Sequence, residues 1–264
     1  MELSYDDRLA KGISLLEAGE HKKSVAEFSA CTTIEPGNAE GYFYLGEALA
    51  ADERPEEAIA AFHRGLELAP EDVEALTALG DIYFERGKHK EALQVYKKVT
   101  EIAPKDSDGY VNIGLVYNSM ERTDDAIKAY TTALEIEPDN VFAHNAIGDA
   151  WFGLGENDKA IAAFRKGVEI EPNDAAAHFN LGELFYDLGE ADAAEKECLE
   201  AIRLDPHFTL SYLTLGSLYM DQEHVQQAIK YLELYLKMET SPQAEDMVTE
   251  VKAVVEGLKE ELKK

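Results

Sequence analysis

The chain has 264 residues, 45% of them hydrophobic, and a formal net charge of −28. Enough apolar side chains are present to fold, which excludes a wholly disordered polyelectrolyte. The charge disfavours nucleic acid and anionic membrane surfaces as partners, because phosphate binding needs clustered Lys and Arg, and it leaves basic partners open. The opening stretch MELSYDDRLAKG has no basic region followed by an apolar one, so no signal peptide is expected. No apolar run approaches the roughly 18 residues of a membrane span, so no membrane insertion is expected and the chain reads as cytoplasmic. Cys31 and Cys198 have no metal-ligand spacing and fall on apolar helix positions, as small core residues in a reducing compartment do.

From residue 5 a single pattern returns every 34 residues. Its first copy, residues 5–38, is the most altered: Arg8 replaces an aromatic, Lys11 an apolar residue and Ser24 an alanine. Such changes suit a terminal unit with one side in water. Residues 39–72, 73–106, 107–140 and 141–174 keep nearly all landmarks. The next copy, 175–208, carries Glu195 and Cys198 where its siblings are apolar or aromatic, and 209–242 has Thr240 in place of the in-phase proline. The pair Leu45-Gly46 recurs as Leu79-Gly80, Ile113-Gly114, Ile147-Gly148, Leu181-Gly182 and Leu215-Gly216. Ala58 and Pro70 recur in the same phase. Apolar residues at i, i+3, i+4 and i+7 mark two short amphipathic helices per copy, and Gly46 and Ala58 are small enough for their backbones to approach closely. Asn38, Asp72, Asp106, Asn140 and Asp174 are the expected N-caps of the first helices. Pro55 suits the first turn of a second helix, and Thr123 is the expected cap at the matching place. Residues 243–264 read as one amphipathic helix. It is expected to cap the last copy, with a dimer seam of Met247, Val251, Val254 and Leu258 as the alternative.

These landmarks resemble the tetratricopeptide repeat (TPR) family, a helix–turn–helix of the same length with Leu-Gly, Tyr, Ala, Phe and Pro positions. The resemblance spans residues 5–242. Its first-helix aromatic is Tyr42, Tyr110 and Tyr212, replaced by His144 and His178 in two copies. Its second-helix aromatic is Phe28, Phe62, Tyr96, Tyr130 and Phe164, lost to Cys198 and Leu232. The resemblance implies an all-α fold, a right-handed α-solenoid of seven TPR repeats plus a C-terminal capping helix. It also implies that the first helix of each repeat lines a concave surface. From residue 39 onward, first-helix segments hold eleven acids and one basic residue, Arg86, whereas second-helix segments hold fifteen Lys and Arg. The concave surface is therefore expected to be strongly negative.

On that surface the expected peptide-binding residues fall into three groups. Carboxylates recur at Glu47, Asp81, Asp149 and Glu183, with Glu74 nearby, and would focus potential along a groove. Rings at Phe43, Tyr44, Phe84, Phe152, Phe179 and Tyr186 are spare to the repeat skeleton, and Phe142 joins them. For Phe84, Phe152 and Tyr186, filling the seam between repeats is the competing role. Asn112, Asn145 and Asn180 offer amides that can hydrogen-bond an extended peptide. The expected function is a non-catalytic scaffold binding a basic, apolar-anchored protein segment, with self-assembly into homo-oligomers as the alternative. The family's lysine-lined clamp for acidic tails is not expected, since the matching positions are acidic, apolar or Asn. No nucleotide-binding glycine loop, nucleophile elbow or His-Glu-x-x-His motif occurs. No catalytic residue, metal site or cofactor is expected, and His144 and His178 are expected to serve the core.

Overall fold

The computed structural model describes residues 3–263, the Pro242 side chain excepted; Lys264, at the end of the expected capping helix, lies outside the described residues. Helices run through the whole described chain, and no strand occurs among the described residues. They come in antiparallel pairs: α1 (Tyr5–Glu17) with α2 (His21–Ile34), α3 (Ala39–Ala51) with α4 (Pro55–Leu68), and α5 (Val73–Glu85) with α6 (His89–Ile102). The series continues with α7 (Ser107–Ser119) and α8 (Thr123–Ile136), α9 (Val141–Gly153) and α10 (Asn157–Ile170), and α11 (Ala175–Asp187) and α12 (Ala191–Leu204). The pair α13 (Thr209–Asp221) and α14 (Val225–Met238) follows, then a 3-10 turn at Pro242–Ala244 and α15 (Glu245–Glu261). The chain forms two compact units, Met1–Pro138 and Asp139–Lys264.

Local chemistry explains each boundary. Asn38, Asp72, Asp106, Asn140 and Asp174 all accept backbone N–H bonds at the starts of α3, α5, α7, α9 and α11, satisfying donors that a helix end leaves unpaired. The even-numbered helices have no side-chain cap. Thr123, expected as one, is instead the first residue of α8, and Arg122 precedes it as an uncapped N-cap residue. The reason is the turn before it. One residue per pair, from Gly19 and Glu53 through Gly87, Glu121, Gly155 and Gly189 to Glu223, takes a positive φ. The next N–H then reaches back five residues, as Arg54 does to Leu49 O at 2.9 Å. This Schellman closure satisfies the outgoing helix and leads directly into the next one.

Within each pair the recurrent glycine receives a large side chain from its partner helix. A methyl group on Gly46 would lie 2.7 Å from Phe62 Cδ2, and one on Gly114 would lie against Tyr130. Gly182 meets the sulfur of Cys198 and Gly216 meets Leu232 in the same way. The core of the first unit is built on Phe28, Phe62, Leu79, Tyr96 and Val116, and that of the second on Phe164, Leu184, Phe185, Cys198 and Leu215. Ser24 is fully buried rather than water-facing, and its hydroxyl donates to Gly12 O at 2.9 Å. The altered first copy is thus tied by polar contacts inside, while Arg8 and Lys11 both reach Glu27 at its surface.

Packed on α14, α15 buries Val251 and Val255 against Tyr212, Ile229, Leu232 and Tyr235, as a capping helix would. The alternative dimer seam is not presented on one open face: Val251 is buried and Leu258 half-buried, while Met247 and Val254 are exposed. Consecutive odd-numbered helices touch, α1 with α3 and α3 with α5 in the first unit and α11 with α13 in the second. No two even-numbered helices do so to the same extent among the described residues. In each unit, therefore, odd-numbered helices approach one another more closely than even-numbered ones do.

Candidate functional site

From α3 to α13 no odd-numbered helix contains a lysine or arginine. Arg86, the C-cap of α5, turns away to pair with Glu56 of α4 at 3.0 Å. Many other ion pairs lie within one turn of the even-numbered helices and their caps, as in Arg54–Glu57, Arg122–Asp125 and Arg203–Glu200. Among the described residues, none of Glu40, Glu47, Glu74, Asp149, Glu183 or Asp187 pairs with a lysine or arginine.

In the first unit four expected residues come together. Phe43, Tyr44 and Glu47 of α3 and Glu74 of α5 line a cleft of about 430 Å³, with Glu40, Asp72 and the methyl groups of Ala39, Ala69 and Ala75. Partial removal from water, and then the Glu74 carboxylate, pushes Glu47 above the usual carboxylate range. Burial, and then Glu47, Glu40 and Glu74, pushes the Tyr44 hydroxyl up. Asp72 is occupied at the base, accepting the Ala75 N–H at 2.8 Å. Glu40 and Asp72, which complete the cleft, were visible in the sequence only as a helix acid and a cap.

In the second unit Asp149 of α9 and Glu183 of α11 share a face. Desolvation raises Asp149, and desolvation followed by Asp187 and Asp149 raises Glu183. Asn180 is half-buried on α11, and Asn112 is half-buried on α7 of the first unit.

Other expected residues are elsewhere or otherwise engaged. Phe179 is a correction: it is 7% exposed and packs against Phe208, centroids 5.2 Å apart, with Ala201 beneath. Asn145 occupies the same place in α9, and its Oδ1 is buried beside Gly167 instead of being offered to a ligand. Both errors have one cause. This helix position points at the partner helix, where a small Gly167 or Ala201 makes room for it. Phe43 shares the position and covers Gly65, yet its outer edge still lines the cleft. Asp81 is held by the Tyr96 hydroxyl, which donates to its Oδ1 at 2.6 Å, so it serves the second-helix ring. Phe84 and Phe152 are half-buried against the cores of their own units, which is the seam role. The Tyr186 hydroxyl donates to Asp221 Oδ2 at 2.9 Å, linking α11 to the end of α13.

Burial pushes the Cys198 thiol up to about 12 and raises Cys31, which favours the protonated thiol at both. His178 sits between Glu197 Oε2 at 2.7 Å and Pro172 O at 3.2 Å, a core histidine with both nitrogens engaged. No group of three or more potential metal ligands converges among the described residues. No helix among them is long and apolar enough to cross a membrane.

Short antiparallel helix pairs in series, each closed by a side chain of the second helix seated on a glycine of the first, define a helical-repeat scaffold. Models described as tetratricopeptide repeat or TPR repeat match residues 9–69, 49–110, 107–140, 148–189, 175–208 and 210–241. The chain belongs to the tetratricopeptide repeat family, whose fold serves protein–protein interaction. No curated protein sequence matches it significantly. Among solved structures, MamA is 27% identical with a TM-score of 0.57, over 61% of this chain and 94% of its own. A tetratricopeptide repeat protein from Parabacteroides merdae is 16% identical with a TM-score of 0.75, over 95% of this chain and 98% of its own. YrrB, a TPR protein with an unusual peptide-binding site, is 22% identical with a TM-score of 0.52, over 70% and 95% of the two chains.

Proposed function

We propose that this chain is a non-catalytic scaffold whose odd-numbered helices hold a basic, apolar-anchored segment of a partner protein. One observation carries the reading: from α3 to α13 these helices lack lysine and arginine, and their Glu40, Glu47, Glu74, Asp149, Glu183 and Asp187 pair with no lysine or arginine among the described residues. Leaving like charges crowded and unpaired costs stability, and a cationic partner would relieve that cost. The half-buried rings beside them would supply apolar contact and set the dwell time.

Selection of displayed random peptides on the purified chain tests this. Enriched sequences should combine Lys or Arg with aromatic or aliphatic residues, and binding should drop in a variant carrying Asp149→Lys and Glu183→Lys. Enrichment of acidic or uncharged peptides would overturn the reading.

A further inference from the structure

The cleft between α3 and the start of α5 differs from the rest of the odd-helix face in having walls of two kinds. One wall is aromatic and fixed from behind. Tyr44 stacks on buried Phe28, centroids 5.3 Å apart and planes 16° from parallel, and Phe43 lies over Phe62 at 6.5 Å and 24°. The other wall is anionic, from Glu40, Glu47 and Glu74. The Tyr5 hydroxyl donates to Glu40 Oε2 at 3.5 Å, and the three carboxylates pair with no lysine or arginine among the described residues. No group of three or more potential metal ligands forms among the described residues, so the three carboxylates do not make a metal site. A volume of about 430 Å³ is near the lower end of small-ligand sites, which span roughly 300–1,000 Å³.

We propose that this cleft is the specificity pocket for one arginine side chain of the partner, a deepening that rests on the basic-segment reading above. A guanidinium matches both walls at once. It is planar and weakly hydrated, so it can lie against a ring face, and its forked donors can reach two carboxylates together. An ammonium is a compact, strongly hydrated point charge that gains less from the aromatic wall. The alkyl stem would run over Ala39, Ala69 and Ala75. Because Phe28 and Phe62 already hold the rings, little side-chain freedom is lost when the pocket fills.

The test is an amide-shift titration of the full chain with a blocked pentapeptide, Ala-Ala-Arg-Ala-Ala, and with matched peptides carrying citrulline or lysine at the centre. The arginine peptide should give saturable shifts concentrated at residues 39–47 and 72–75, and Glu47→Gln or Glu74→Gln should each weaken it by roughly tenfold, the worth of one charge-assisted hydrogen bond. Citrulline and lysine peptides should bind more weakly. The glutamine changes preserve shape, and an unaltered spectrum away from the cleft shows that the fold is kept. Saturable shifts confined to α9 and α11 would overturn the pocket while leaving the basic-segment reading in place. Equal binding by citrulline or lysine would overturn the arginine assignment. No saturable shift on any odd-numbered helix, with any of the three peptides, would remove both.

Discussion

Glu53, Glu121 and Glu223 hold φ angles of 59°, 58° and 59° at the turn position that Gly19, Gly87, Gly155 and Gly189 occupy in the other helix pairs. A side chain in that left-handed region brings Cβ close to the following carbonyl, at a cost of about 1–2 kcal/mol, which glycine avoids. Glycine loses more backbone freedom on folding, which offsets part of that gain. Each of Glu53→Gly, Glu121→Gly and Glu223→Gly should therefore stabilise its unit by about 0.5–1 kcal/mol, and Gly87→Glu should destabilise by a similar amount. Urea midpoints of the single variants measure this; a lowered midpoint for all three glycine variants would refute it. The position was open to inspection in the sequence, because the three glutamates and four glycines share one phase. A mixed Glu and Gly column carries no hydrophobic periodicity, so nothing drew attention to it. Gly46 and its counterparts were found by the same spacing. Their function as seats for Phe62, Tyr96 or Cys198 depends on how two helices cross, which spacing along one helix does not encode. Phe179 and Asn145 were misplaced for that reason too: only the small residue opposite, Ala201 or Gly167, shows that they turn toward α12 and α10.

The odd-numbered and even-numbered helices divide the polar chemistry between them, and pH reads the division. Glu47, Asp149 and Glu183 hold their protons more tightly in the folded chain than ordinary carboxylates do, chiefly through desolvation. Protonation thus favours the folded state at these sites. Their contribution is fully present below the ordinary carboxylate pKa of about 4 and is lost as pH rises through the raised values. Glu27, on α2, has the opposite sign. Hydrogen bonding to Lys11 holds it below the usual range, so its contribution is present above about pH 4.5 and disappears as pH falls through the lowered value. A variant with Glu47→Gln, Asp149→Asn and Glu183→Gln should accordingly melt higher than the parent at pH 7, and the gap should close on acidification to about pH 4. Glu27→Gln should melt lower at pH 7. Melting curves across this range decide the matter; a triple variant less stable than the parent at neutral pH would show that the carboxylates support the fold. Gain of stability with loss of basic-peptide binding in the triple variant is the trade expected of a binding face. This layering was plain in the sequence once the family geometry was assumed, because charge counts need only the helix order. Separating free carboxylates such as Glu47 from employed ones such as Asp81 needed the Tyr96 hydroxyl in place.

At the scale of the whole chain the net charge of −28 opposes folding, and on the proposed reading it would favour binding. Like charges repel in the compact state more than in the expanded one, so the folded chain carries a self-repulsion that salt screens. On the proposed reading the same negative field would draw a basic segment inward, and salt would screen that as well. Raising sodium chloride from ~0.01 M to ~1 M shortens the screening length from about 30 Å to about 3 Å, which spans the range from a field felt across the molecule to one felt only at contact. Thermal midpoint should rise over that range while affinity for an arginine-containing peptide falls, mostly through a slower association rate. Short ion pairs within one turn, such as Arg64–Glu67 and Lys166–Glu169, work against the first effect but contribute little at exposed positions. The triple amide variant supplies the internal control. It retains most of the charge, so its midpoint should still climb with salt, but its affinity should depend on salt less steeply than the parent's. A parent affinity that ignores salt, measured alongside a midpoint that responds to it, would place the attraction in apolar contact alone. The carboxylates of α3, α5, α9 and α11 would then owe their presence to the charge of the chain and not to a partner.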